Sequence, residues 1–155
     1  MRVAALLVGL ATMALPLSAV AHVTVWPRQS VLGAREKYIV RMPNEKRVAT
    51  VRLEAKFPAE ARVSSLEQTP GWTVEVERDS SGAIVGARWS GQLPPDQFTE
   101  FGVLALNPKV GETLTWKFVQ VYADGTRVDW TGAPSSATPS PQVQLRGADN
   151  PTGHP

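Results

Sequence analysis

Apolar and polar residues alternate through "ATVRLEAKF" (49–57), and this period of two constrains the chain more than any other feature. Ala49, Val51, Leu53, Ala55 and Phe57 fall on one side of an extended strand, and Thr50, Arg52, Glu54 and Lys56 on the other. A helix would need apolar residues every three or four positions, so the pattern predicts a half-buried antiparallel strand. The alternation recurs in "WTVEVE" (Trp72, Val74, Val76) and in "ETLTWKFVQVY" (Leu114, Trp116, Phe118). Shorter runs predict strands over 23–25, 38–42, 84–89, 98–106, 127–130 and 143–145. Pro-Gly at 70–71, Ser-Gly at 81–82, Pro-Pro at 94–95 and Asp-Gly at 124–125 punctuate them. Asp124-Gly125 predicts a tight hairpin, because both positions tolerate positive φ. Some eight or nine short strands with no convincing helix predict an all-β fold, a sandwich or small barrel.

Ahead of this pattern stands a different kind of segment. Arg2 precedes the uncharged run "VAALLVGLATMALPLSAV", and Ala19-Val20-Ala21 has the small-x-small spacing that signal peptidases cut. That order describes a secretory signal peptide over residues 1–21. A spanning helix needs about 20 apolar residues, and Pro16 would disturb its last turn. No later stretch is long enough, so no membrane span is expected in the mature chain. Residues 22–146 are expected to form one β-sandwich domain containing a Pro/Ser-rich connector, "TGAPSSATPSPQ" (131–142). Residues 147–155 read as a disordered tail. The expected location is exported, in the periplasm.

Composition narrows function by exclusion. The formal net charge is +2 and the sixteen Lys and Arg are scattered, so no nucleic-acid partner is expected. With no cysteine, thiolate metal sites, thiol catalysis and disulfides are ruled out. Of two histidines, His154 falls in the tail and His22 directly follows the cleavage site, so a Ser-His-Asp site has no histidine to use. No P-loop, GxGxxG, HExxH or EF-hand spacing occurs. Glu75 and Glu77 read as a solvated strand face rather than a pair of catalytic carboxylates. No enzyme is expected.

His22 carries two readings. It is an exposed polar residue opening the first strand, or it is placed to become residue one. In the second case it offers an α-amine and an imidazole together, and the amine nitrogen and ring Nδ1 can close a small chelate ring. Two nitrogens completed by oxygen donors suit the tetragonal preference of Cu(II). An α-amine has an unperturbed pKa of about 7.7–8.0, so a metal can displace its proton near neutral pH. The mature chain has a single Met, Met42, which argues against a sulfur-built Cu(I) site.

Read in order, "AHVTVWP", "VRMPNEK", "PGW", "QVYADGTRVDW" and "PSPQVQL" resemble the YcnI-like family of exported bacterial copper-binding domains, from His22 to about Leu145. The resemblance implies a single antiparallel β-sandwich of the cupredoxin/immunoglobulin-like kind that binds Cu(II) through a monohistidine brace. It implies that His22 supplies amine and imidazole, that Glu45 supplies a carboxylate, and that Trp130 packs its indole beside the ion without coordinating it. Glu36, in "REKY", is a second acidic candidate for the oxygen donor, and His154 a candidate extra ligand. The residues alone leave other readings open: Glu45 as an exposed turn carboxylate and Trp130 as core. Trp72, Trp89 and Trp116 are expected in core packing. Trp26 beside Pro27 is expected to shield a first strand at a sheet edge.

The expected function is copper capture, delivery or buffering, with a copper-accepting or copper-importing membrane protein as partner. Copper oxygenases with an N-terminal histidine complete the brace with a second histidine, and here only His154 is available. Two rivals stand beside this reading: a metal-free envelope interaction or scaffold domain, and a copper-dependent oxidase.

Overall fold

The structure, a computed structural model, describes residues 22–148. The expected leader, His154 and all but the first two residues of the expected tail lie outside the described residues. Twelve strands follow one another: β1 (Thr24–Trp26), β2 (Gln29–Val31), β3 (Arg35–Asn44), β4 (Thr50–Lys56), β5 (Arg62–Leu66) and β6 (Thr73–Arg78), then β7 (Ile84–Leu93), β8 (Gln97–Leu106), β9 (Thr113–Thr115), β10 (Lys117–Tyr122), β11 (Arg127–Trp130) and β12 (Gln142–Arg146). The larger sheet runs β1-β3-β8-β5-β7-β4-β10-β11, with β6 added to β7, and the smaller runs β2-β12-β9. The pairings are antiparallel except β2 with β12. The all-β sandwich expected from the alternation is what forms.

Alternation places the core. Val40 and Met42 of β3, Leu53 and Ala55 of β4, Trp89 of β7, Phe101 and Val103 of β8 and Phe118 of β10 all turn inward. Trp89 stacks on Phe101 at 4.8 Å between centroids, and Trp72 meets Phe101 edge-on at 5.1 Å. Trp89 and Trp116 are fully buried, whereas Trp72 is partly buried against the core. β1 is an edge strand, and Trp26 stays 43% exposed beneath the Arg28 guanidinium.

Four details depart from simple alternation. "ETLTWKFVQVY" breaks at Trp116: β9 belongs to the small sheet and β10 to the large one. Leu114, Trp116 and Phe118 still all point inward, so the chain turns the corner on a buried indole. β4 skips Val51, because Thr50 pairs with Leu93 and Tyr122 while Arg52 pairs with Ser90 and Val121. This bulge turns Thr50, expected outside, into the core, where it is fully buried. β6 is exposed along its whole length instead of half-buried, since among the described residues it pairs with β7 alone and no layer covers Val74 and Val76. At the Asp124-Gly125 hairpin only Gly125 takes a positive φ (84°); the Asp124 carboxylate accepts instead from the Thr126 N–H and hydroxyl.

β1 and β11 are the two ends of the eight-strand path, yet the His22 ring at the start of β1 meets the Trp130 ring of β11. The large sheet therefore curls until its ends touch, and the candidate site sits at that seam.

Candidate metal centre

β1 is held by Thr24↔Arg41, Val25↔Val40 and Trp26↔Ile39. Extending this register by two residues brings His22 level with Pro43, two residues short of Glu45. The ladder stops before that point. Pro43 has no N–H to give, and its carbonyl accepts from Gln120 Nε2 at 2.9 Å. The main-chain nitrogen of His22 thus lies beyond the last rung.

The His22 ring is held from two sides. Its Nε2 lies 3.2 Å from the Ala137 carbonyl oxygen, and its ring meets Trp130 edge-on at 5.4 Å and 89°. A carbonyl only accepts, so Nε2 carries the proton, and in the neutral ring Nδ1 keeps a free lone pair. This is the tautomer that a chelate through Nδ1 requires. Ala137 reaches the ring because the 131–142 connector folds on itself: Gly132 N–H donates to the Thr138 carbonyl, Ser140 N–H to Gly132, and Ser136 N–H to Ala133. A side chain at Gly132 would collide with Ser136 Oγ and the Thr138 carbonyl, so the connector needs glycine there.

Trp130 is 3% exposed, and its indole N–H donates to Gln120 Oε1 at 3.3 Å. An indole offers no lone pair in its plane, so Trp130 can wall an ion but cannot coordinate it.

Glu45 sits just past β3 in a turn built by Asn44. The buried Asn44 amide donates to the carbonyls of Val48 (2.9 Å) and Leu93 (3.0 Å), and its Oδ1 accepts from Lys46 N–H (3.1 Å). Glu45 is exposed beside a cleft of about 410 Å³ shared with Lys46, Arg47, Pro95 and Asp96. Among the described residues its carboxylate makes no hydrogen bond or ion pair. Burial raises the Tyr122 phenol pKa above its ordinary value, the Thr50 hydrogen bond opposes this, and the nearby negative charge of Glu45 adds to the rise.

Glu36 lies near the opposite end of β3. Seven residues separate it from the level of His22, roughly 23 Å at 3.3 Å per residue. Its carboxylate accepts from Ser30 Oγ at 2.6 Å, in a chain with Asn107 and the buried Tyr38 phenol. Glu36 is therefore not brought to His22, while Glu45 and Trp130 lie at the same end as His22. Among the described residues no three His, Cys, Asp or Glu side chains converge on one point.

Three contributors were not anticipated: Gln120, Asn44 and the Ala137 carbonyl. Gln120 had a signal, since it shares the inward row of β10 with Phe118 and Tyr122 and is a polar residue at a core position. Ala137 had none, because a main-chain carbonyl leaves no mark in sequence.

The family model described as "Domain of unknown function (DUF1775)" matches residues 22–145. "Copper-binding protein CutI" of Bacillus subtilis (strain 168) is 34% identical over 121 residues, covering 77% of this chain and 59% of that protein. The chain thus spans less than two thirds of that relative's length. Among solved structures, an uncharacterized Nocardia farcinica protein with an immunoglobulin-like fold superposes with a TM-score of 0.71 at 27% identity, covering 80% of this chain and 97% of that one. A cohesin module from a Clostridium perfringens family 33 glycoside hydrolase superposes with a TM-score of 0.53 at 12% identity, covering 82% and 99%. The cohesin likeness concerns fold alone.

Proposed function

Since the chain belongs to the DUF1775 family, we propose that it is an exported copper-binding protein that captures Cu(II) and delivers or buffers it. In this reading cleavage after Ala21 turns the His22 main-chain nitrogen into an amine. Amine and Nδ1 chelate the ion, Glu45 supplies an oxygen, and Trp130 walls one side. The copper-binding name of the Bacillus subtilis relative supports copper as the ligand.

The observation that carries the reading is the state of His22. Its Nε2 is spent on the Ala137 carbonyl, its Nδ1 is left with a lone pair, and its main-chain nitrogen lies beyond the β1–β3 ladder. Nitrogen and oxygen donors at fixed angles favour Cu(II) over Cu(I). A site with one imidazole among the described residues suits holding and release rather than oxygen activation, and from the periplasm the ion would pass to a copper-accepting or copper-importing membrane protein.

The test is a Cu(II) titration of the chain beginning at His22, read by electron paramagnetic resonance, beside a chain with one extra alanine in front. The expected result is one tightly bound ion with nitrogen hyperfine structure that disappears in the extended chain. Equal, weak binding by both would overturn the chelate and leave a metal-free envelope interaction domain.

A further inference from the structure

One buried side chain, Gln120, bridges the strands beside His22. Gln120 is 1% exposed and uses its amide three ways. Its Nε2 donates to the Pro43 carbonyl at 2.9 Å and to Thr50 Oγ1 at 2.8 Å, and its Oε1 accepts from Trp130 Nε1 at 3.3 Å. The orientation is forced, because a carbonyl can only accept and an indole N–H can only donate. Gln120 stands on β10, Trp130 on β11 and Pro43 on β3, two residues before Glu45, so this amide ties the two ends of the curled sheet beside the His22–Trp130 contact. The third partner is present because β4 bulges at Val51 and turns Thr50 inward. A bulge that re-aims one side chain into a buried polar network is a common device beside functional sites.

Building on the copper reading above, we propose that Gln120 is a positioning residue of the metal site, fixing the Trp130 indole against His22 and holding Pro43 two residues before Glu45. It never touches the ion. Without it Trp130 would lose the bond that sets its ring plane, and the Pro43 carbonyl would lose the partner that holds it two residues before Glu45. Both changes act on the pocket that the ion enters. The bland alternative is a satisfied core amide that contributes stability and nothing else.

Three measurements separate these. In the copper-free native chain, hydrogen exchange at the Trp130 indole should be slow, reporting a held N–H; exchange as fast as that of an exposed indole would overturn the bracket at once. Gln120→Met keeps the shape and removes all three bonds. Gln120→Glu keeps an acceptor for Trp130 but sets a carboxylate against the Pro43 carbonyl. In variants that still melt cooperatively, Cu(II) affinity should fall about 10- to 100-fold, the range seen when groups supporting a metal ligand are removed, and the paramagnetic resonance parameters should move. Gln120→Glu should lose affinity while keeping slow indole exchange. Unchanged affinity and spectrum in either folded variant would show that Gln120 is core only. If the native chain binds no Cu(II), the metal reading itself fails, and slow indole exchange would then mark Gln120 as structural.

Discussion

At the scale of single residues, two glutamates near opposite ends of β3, Glu36 within it and Glu45 just past it, have different surroundings. Glu45 follows the end of β3 that runs level with His22 and its carboxylate is unengaged among the described residues, whereas Glu36 sits near the other end and is bonded to Ser30. Glu45→Gln is expected to weaken Cu(II) binding about 10-fold or more, as losing one anionic oxygen donor should, with little change in melting temperature. Glu36→Gln is expected to leave Cu(II) binding alone and to cost about 1 kcal/mol of stability through the Ser30–Asn107–Tyr38 chain. Titrations and urea midpoints for both variants check the pair, and the assignment of Glu45 sinks if the two effects are exchanged. The sequence singles out His22 by a local cleavage-like signal and Trp130 by a family motif, and the structure brings their rings into contact. Gln120 was not legible as a site residue, because Thr50 and Pro43 lie 70 and 77 positions from it in the chain.

At the scale of elements, the strands were readable wherever burial is one-sided. β3, β4, β7, β8 and β10 follow from alternation, since each has one face on the core. The exceptions have structural causes: the sheet switch at Trp116 keeps the inward row intact, and β6 lacks a covering layer that no local pattern reports. The 131–142 connector, which reads as plain Pro/Ser-rich spacer, is the element that fixes the His22 ring. Its closure depends on Gly132, where an added Cβ has no room. Gly132→Ala is expected to push Ser136 and Thr138 apart, at a cost of about 1–3 kcal/mol, and to displace the Ala137 carbonyl from Nε2. Cu(II) affinity should then fall about 10-fold, because the ring loses the partner that selects its tautomer. A melting curve beside a copper titration decides it: a variant that is destabilised yet binds copper normally would show that the connector is a linker after all.

For the whole molecule, the curled sheet and the proposed copper site at its seam should respond to pH in different windows. Burial lifts the Tyr38 and Tyr122 phenols above their ordinary value of 10.0, so both stay protonated in the fold after they would ionise in the unfolded chain. Their contribution is complete below pH 10 and is lost as pH rises through the raised values. Hydrogen bonds from Ser81 and Thr126 hold Asp79 and Asp124 below 3.8, so what they contribute is present above that value and lost as pH falls through the lowered ones. These four groups therefore leave the copper-free melting temperature flat between about pH 5 and pH 9. Copper adds a linkage of its own. An ion that binds only the folded chain stabilises it by about 2.7 kcal/mol at a hundredfold excess over its dissociation constant, a rise on the order of 10 °C for a domain of this size. An α-amine ionises near 7.7–8.0 and must shed its proton to bind, so this rise should shrink as pH falls from 8 to 6 while the copper-free curve stays level. The chain extended by one alanine should show neither the rise nor its pH dependence. A copper-induced rise of equal size in both chains, constant from pH 8 to 6, would place the ion elsewhere and return His22 to the role of an ordinary first residue.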